Sequence, residues 1–197
     1  MNNKQCKQIL DEIFMEIFEQ KCFLNLEQVL SEFAFDIKLP NKVIDAVDGK
    51  ETWASSINSE KYISQENMVK YDNYKGWIRP KKEITSLDDI LKLWNKINYT
   101  TTERVYNSIN VSKSDTIYDS ENIYRSQDCR KCKNVIYTDS CGNSEYIIAC
   151  QRSSGLNYCI RVDDSNNCSN SYNIICSAKI SNSFFIQDAN SLHECMF

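Results

Sequence analysis

One residue in every three, from Val105 to Cys195, is small or aliphatic. The 31 positions of this inward series hold Ser, Cys, Thr, Val, Ile, Leu or Ala only, and no insertion shifts their phase. A period of three belongs neither to an α-helix nor to an ordinary β-strand. It is typical of a narrow solenoid, in which each short side sends one residue into a tight interior. The series therefore predicts a parallel β-solenoid over residues 101–197.

The outward residues indicate the length of one coil. Any multiple of three would preserve the inward series, but a step of twelve aligns outward residues of similar chemistry. One such column, the apolar column, contains Tyr124, Ile136, Ile148, Ile160, Tyr172, Phe184 and Met196. The column before it begins with Asn110, Asn122 and Asn134, whose side chains we expect to form an amide ladder. Twelve residues a coil predicts about seven to eight coils.

A twelve-residue coil with Cys and Ser at inward positions resembles the right-handed β-helix of the insect antifreeze proteins. The resemblance covers about half of the chain and implies a fold only. Those proteins present ranks of Thr-x-Thr to ice, and no column of this sequence is rich in Thr.

Residues 1–100 form a separate region, so the predicted fold class is α+β. Apolar residues at helical spacing predict an amphipathic helix that begins near Ile9. Asn25 and Gln28 have the spacing of a capping box and begin a second helix, which completes a helical hairpin. Alternating residues from Phe35 to Leu39 and the turn dipeptide Asp48-Gly49 predict short strands.

A third helix is predicted over residues 87–97, because Ser86 and Asp89 have the spacing of a helix start. The solenoid begins within a few residues of its end. An open coil exposes unpaired N–H and C=O groups that a terminal cap normally covers. We therefore expect this helix to cap the first coil.

Charge and composition limit the kinds of partner that we expect this protein to bind. The 197 residues carry a formal net charge of −4, and no basic cluster is longer than Pro80-Lys81-Lys82, so we expect no nucleic acid partner. No apolar run is long enough to span a bilayer, and the first residues lack the pattern of a secretion signal. We expect no membrane partner and a cytoplasmic location. The sequence has few Gly residues, a single His (His193) and no phosphate loop. We therefore assign no cofactor, and any catalytic residues stay unknown.

Seven of the ten cysteines belong to the inward series. Free thiols that fill the core, disulfides and a metal site are the three alternatives. A twelve-residue coil would stack Cys129 on Cys141, with Cys132 entering from the adjoining side. Zinc requires four ligands, and no second CxxC or His supplies the fourth. We therefore favour free thiols and predict no metal.

Two surfaces are predicted to be interfaces. The apolar column would form an exposed patch too large for a soluble monomer, so we expect the helical hairpin of residues 9–33, or else a second copy, to cover it. The inward series runs in phase to Cys195 and no polar cap follows it. We expect Leu192, Met196 and Phe197 to meet another chain, or the solenoid to continue in a longer protein.

The function predicted from these features is a non-enzymatic interaction or assembly protein that presents a solenoid surface as a scaffold. One alternative is a β-helical enzyme or enzyme subunit, an acyltransferase or a carbohydrate-active one, with its site in the groove between the two regions. Another is a structural component of a phage or of a surface fibre. A concave site with convergent polar groups would favour the enzyme.

Overall fold

A computed structural model describes residues 1–57, 59, 61–73, 78–81, 83–163, 169–175, 179–184, 186–188, 190–191 and 193–195. Within these ranges, the first hundred residues contain four helices and three short strands, and a fourth strand leads into the solenoid. In chain order these are α1 (Asn3–Phe18), α2 (Leu26–Phe33), β1 (Asn41–Ile44), β2 (Glu51–Ala54), β3 (Tyr62–Ser64), α3 (Gln65–Asn73), α4 (Leu87–Ile97) and β4 (Thr100–Thr102).

Local capping sets where the helices begin. The predicted capping box at α2 is confirmed, because the Asn25 side chain accepts the Gln28 N–H and the Gln28 side chain accepts the Asn25 N–H. Asn2 and Gln5 form a second box that starts α1 six residues before Ile9. The Ser86 hydroxyl accepts the Asp89 N–H at the start of α4, so the predicted bounds of this helix are confirmed.

The segment between α2 and α4 departs in part from the prediction. β1 and β2 pair as the antiparallel hairpin that Asp48-Gly49 indicated. The strand predicted over residues 35–39 is wrong, because Ile37 and Leu39 pack against the core of α1 and α2 instead of pairing. Helix α3 was not predicted from the sequence.

The predicted parallel solenoid with twelve residues a coil is confirmed. Its strands are β5 (Val105–Tyr106), β6 (Ile109–Ser112), β7 (Asp115–Tyr118), β8 (Glu121–Tyr124), β9 (Gln127–Arg130), β10 (Lys133–Ile136), β11 (Asp139–Gly142), β12 (Glu145–Ser154), β13 (Asn157–Asp163) and β14 (Ser169–Ile174). Every pair is parallel and joins residues twelve apart, as in Val105↔Ile117 and Cys129↔Cys141. Two walls result, and the long β12 belongs to both. Over the described residues the rod has about five turns.

The backbone explains the period of three. From Asn107 to Arg161, every third residue has a positive φ between 46° and 76°. Each of these left-handed residues immediately precedes an inward residue. A left-handed residue turns the chain, so two extended residues and one left-handed residue replace the two-residue alternation of an ordinary strand. Asn tolerates this conformation better than most residues, which accounts for Asn107, Asn110, Asn122 and Asn134 in the series.

Inward hydroxyls form ladders along the corners of the rod. The Ser126 hydroxyl donates to the Tyr124 carbonyl at 2.9 Å and accepts the Thr138 N–H from the next coil at 3.1 Å. Ser114, one coil earlier, and Ser120, half a coil earlier, repeat the arrangement. The predicted amide ladder is also confirmed, with Asn110 donating to Asn122 at 2.6 Å and Asn122 donating to Asn134 at 2.8 Å.

The predicted cap is wrong. Helix α4 buries none of its residues, and the first coil (residues 105–116) is covered only in part, by β2, β3 and α3. β4 lies between α4 and the coil and pairs in parallel with β3, so nearness in sequence does not place α4 over the rod. None of the helices in the described ranges has the length and apolar character that crossing a bilayer requires.

Candidate functional site

A cleft of about 770 Å³ lies where the first hundred residues meet the solenoid. Its floor contains all four inward residues of the first coil: Val105, Ser108, Val111 and Ser114. Its walls come from the β1–β2 hairpin and from α3. The cleft is therefore the open end of the solenoid interior, covered in part by the N-terminal region.

Buried hydrogen bonds hold the walls in place. The Thr52 and Thr102 hydroxyls are 2.6 Å apart, and the Glu103 N–H donates to the Trp53 carbonyl at 3.1 Å. The Gln65 side chain accepts the Val105 N–H at 2.5 Å. Because each contact joins the hairpin or α3 to the entry of the solenoid, the cleft is a preformed feature of the fold.

Asp115 ties the same regions together behind the cleft. Its buried carboxylate accepts from the Ser55 N–H at 2.9 Å and from the Arg104 N–H at 2.9 Å, and it binds the Arg104 guanidinium at 2.8 Å. Burial alone would raise the pKa of Asp115. The hydrogen bonds from Arg104 and from the two backbone groups outweigh it and hold the pKa below its ordinary value.

Most carboxylates of the cleft are neutralised locally. Asp48 lies 3.2 Å from Lys50, and Glu66 lies 2.6 Å from Lys70. Burial opposes ionisation of Asp45, but N–H donors from Ser64, Val47 and Asn67 outweigh it and lower its pKa.

Glu103 differs from these carboxylates. Burial raises its pKa, and the neighbouring Asp115 carboxylate raises it further, while a hydrogen bond to Thr52 acts in the opposite direction. No cation in the described part of the chain forms an ion pair with it. Among the described carboxylates of the cleft, Glu103 therefore has neither the ion pair of Asp48 and Glu66 nor the set of N–H donors that favours the ionised form of Asp45.

The apolar column lies beneath the helical hairpin of the same chain. Tyr124, Ile136, Ile148 and Ile160 form one buried cluster with α1 and α2, and Tyr172 packs at its edge. Phe18 of α1 meets the Tyr172 ring at 5.3 Å, and the Tyr137 hydroxyl donates to the Leu26 carbonyl of α2 at 3.0 Å. This is the intramolecular packing that the sequence analysis named as the first of its two options.

The remaining predicted interface residues lie beyond this cluster. Phe184 is half-buried and takes no part in the packing of the hairpin. Leu192, Met196 and Phe197 lie outside the described residues, so the expected assembly edge stays a prediction.

The cysteines that were candidates for a metal site lie inside the rod as free thiols. Cys129 stacks on Cys141 in register, and Cys132 Sγ lies 3.3 Å from the carbonyl oxygens of Arg130 and Cys141. Interaction with Cys132, together with burial, raises the pKa of Cys129 and Cys141 well above the usual thiol value. Within the described ranges no group of three or more metal-ligating side chains could hold an ion.

The apolar face of α4, which was expected to cap the first coil, is exposed instead. Leu87, Leu91 and Trp94 are 69%, 49% and 54% exposed, and Ile90 and Leu93 extend the same surface. Their spacing is that of an amphipathic helix, which is the signal that marks this face in the sequence. His193 also lies on the surface, 4.0 Å from Glu194, and takes no part in the cleft.

Comparisons of the chain with protein-family models, with curated proteins and with solved structures found no match. The resemblance to the antifreeze β-helix is therefore one of fold only, and no family assigns a role to the cleft or to α4.

Proposed function

We propose that this protein is a non-enzymatic interaction protein that associates with a second copy of itself through α4. The supporting observation is the exposed apolar face of this helix. Soluble proteins rarely leave a contiguous apolar patch uncovered unless it binds a partner. The apolar column is already covered by α1 and α2, so α4 is the better candidate for the surface that meets another chain.

The pattern of apolar residues on α4 favours a second copy as the occupant. Two copies that pack antiparallel about a two-fold axis place Leu87 opposite Trp94 and Ile90 opposite Leu91, so the apolar face is complementary to itself. The charged residues Asp88, Asp89, Lys92 and Lys96 lie on the other side of the helix and stay in water in this arrangement.

Sedimentation velocity on the full chain tests this proposal. We expect the wild-type protein to form dimers at high micromolar concentration and L91D to dissociate at least about tenfold more readily, because the dimer would bury a charge in an apolar contact. I109D is the matched control, since Ile109 is an exposed apolar residue on the solenoid. It should leave the dimer intact, and circular dichroism should show both variants folded.

A charge reversal on the other side of the helix makes the test specific for the apolar face. K92E should leave self-association unchanged, because Lys92 points away from Leu91 and Trp94. A monomeric wild-type protein, an unaffected L91D variant or a dimer that K92E disrupts as strongly as L91D would overturn the proposal.

The described thiols support a reducing, cytoplasmic setting, which we also propose. Cys129 and Cys132 are buried and donate to backbone carbonyls, so they act as small core side chains. Alkylation at the moment of cell lysis, followed by denaturation and mass measurement, should find Cys6, Cys22, Cys129, Cys132 and Cys141 reduced. An inter-cysteine link between any of them would contradict this setting.

We further propose that the coil continues past β14 to give the seven to eight coils expected from the sequence. Ile180, Ser183 and Ile186 are buried and in phase, and Ile174 forms a bridge with Ile186 in the twelve-residue register. Slow amide exchange at these three residues supports the extension, and exchange at the rate of an unstructured chain would exclude it.

The alternative of an enzyme keeps one supporting observation, the cleft between the two regions. No fibre-like feature in the described ranges favours the structural component of a phage or surface fibre over the interaction protein.

A further inference from the structure

The floor of the cleft is an uncovered cross-section of the solenoid core. In later coils the inward aliphatic residues, such as Ile123 and Val135, are fully buried because another coil lies above them. Val105 and Val111 occupy the same positions in the first coil but are only half-buried, and Val69 of α3 faces them across the cleft. An apolar group seated on these valines would gain the burial that a preceding coil would otherwise provide.

The described lysines that line the cleft interact with groups other than Glu103. Lys50 binds Asp48 and Lys70 binds Glu66. Lys113 Nζ lies 3.2 Å from the Tyr124 hydroxyl and 5.7 Å from the centre of the Trp53 ring. None of these described lysines is positioned to neutralise Glu103.

Glu103 is held rigidly where the hairpin meets the first coil. Its φ of 49° is left-handed but falls outside the regular series of left-handed residues, which begins at Asn107. Its N–H is fixed to the Trp53 carbonyl and its side chain interacts with Thr52. A non-glycine residue in this conformation stores strain, and such strain is concentrated at sites that position a functional group.

We propose that the cleft binds a small ligand with a primary ammonium group on an apolar body, the ammonium bound to the Glu103 carboxylate and the body on Val105 and Val111. The ammonium would supply the positive charge that the described residues do not provide. Because the carboxylate is partly withdrawn from water, the ion pair would be stronger than one on the open surface.

Methyl NMR titration of the full chain tests the proposal with benzylammonium as the probe and benzyl alcohol as its neutral counterpart. We expect benzylammonium to shift the Val105, Val111 and Val69 methyl signals in a saturable manner. Benzyl alcohol should bind at least about tenfold more weakly, since it lacks the charge that Glu103 requires. Lowering the pH through the raised pKa of Glu103 should weaken benzylammonium binding, because protonation removes the carboxylate charge.

Two variants and one control decide the outcome. E103Q should weaken benzylammonium binding at least about tenfold and leave benzyl alcohol binding unchanged. V69W should weaken both ligands, because Val69 is exposed on α3 and a larger side chain there narrows the cleft without altering the core. E121Q is the control, since Glu121 lies outside the cleft and pairs with Lys133, and it should behave as wild type. Equal affinity for the two ligands, an unaffected E103Q variant or the absence of saturable shifts at the valines would overturn the proposal.

Discussion

At the scale of single residues, the left-handed conformation at every third position is what distinguishes this chain from an ordinary sheet. Left-handed backbone is unfavourable for residues other than Gly, by about 1–2 kcal/mol in a helix. The chain nevertheless places Lys, Arg, Tyr and Ala there, as at Lys131, Arg125, Tyr137 and Ala149. Parallel hydrogen bonds and a filled interior must offset that cost in each coil.

Two neighbouring lysines allow this cost to be measured. Lys131 has a φ of 54°, whereas Lys133 lies in the extended strand β10. We expect K131G to leave the free energy of unfolding unchanged or to raise it by up to about 1 kcal/mol, because Gly relieves the left-handed strain. K133G should lower it by about 0.5–1 kcal/mol, because Gly weakens a strand. Urea denaturation of both variants would show equal losses if left-handed strain had no role.

The corner hydroxyls provide a second test at this scale. S126A removes the acceptor of the buried Thr138 N–H and the donor to Tyr124. An unsatisfied buried group costs about 1–3 kcal/mol, so we expect that loss in denaturant unfolding. S31A is the control, because Ser31 lies on the exposed side of α2, and it should change stability by less than about 0.5 kcal/mol. Similar losses in both variants would argue against the hydroxyl ladder.

At the scale of elements, α1 and α2 convert one wall of the rod into an internal interface. The Asp36 carboxylate binds the Arg161 guanidinium at 2.9 and 2.8 Å at the end of this interface. Arg161 holds the pKa of Asp36 below its ordinary value despite partial burial. Both groups retain contact with water, so the ion pair orients the hairpin while the apolar column supplies most of its stability.

Ile148 is the central residue of this interface and is fully buried. I148A should lower the free energy of unfolding by about 2–5 kcal/mol, because it opens a cavity between α1 and β12. I109A, an outward isoleucine on β6 that is largely exposed, should change it by less than about 0.5 kcal/mol. Thermal and denaturant unfolding would measure both, and a small effect of I148A would mean that the hairpin contributes little to stability.

At the scale of the whole molecule, the N-terminal region acts as the end cover of the solenoid. It encloses the first coil only in part, so the cleft follows directly from the way that the two regions meet. Asp115 and Arg104 bind each other and join the two regions through hydrogen bonds to Ser55.

The pH dependence of stability reports on that junction. The pKa of Asp115 is lowered in the folded state, so its contribution is present above the ordinary value of 3.8 and is lost as pH falls through the folded value. D115N should lower the free energy of unfolding at neutral pH by about 3 kcal/mol and flatten the acid branch of a plot of melting temperature against pH. D128N is the control, because Asp128 is exposed and its contact with Arg130 is long, at 3.8 Å. An acid branch that is the same in D115N and wild type would contradict the role of Asp115.

The sequence by itself determined the solenoid, the twelve-residue register, the amide ladder and the bounds of α4, because these depend on side-chain size and spacing repeated along the chain. A six-residue alternation of hydroxyl and aliphatic residues within the inward series, as in Ser114, Ile117, Ser120 and Ile123, also carried the signal for the corner ladders. Only the tertiary structure decided that α3 and the β1–β2 hairpin cover part of the first coil, that α4 does not, and that Glu103 has no partner cation among the described residues. Those outcomes depend on which surfaces of a non-repeating region meet. The amphipathic faces of α1, α2 and α4 look alike in the sequence, because local periodicity shows that a helix face is apolar but does not show what that face will contact.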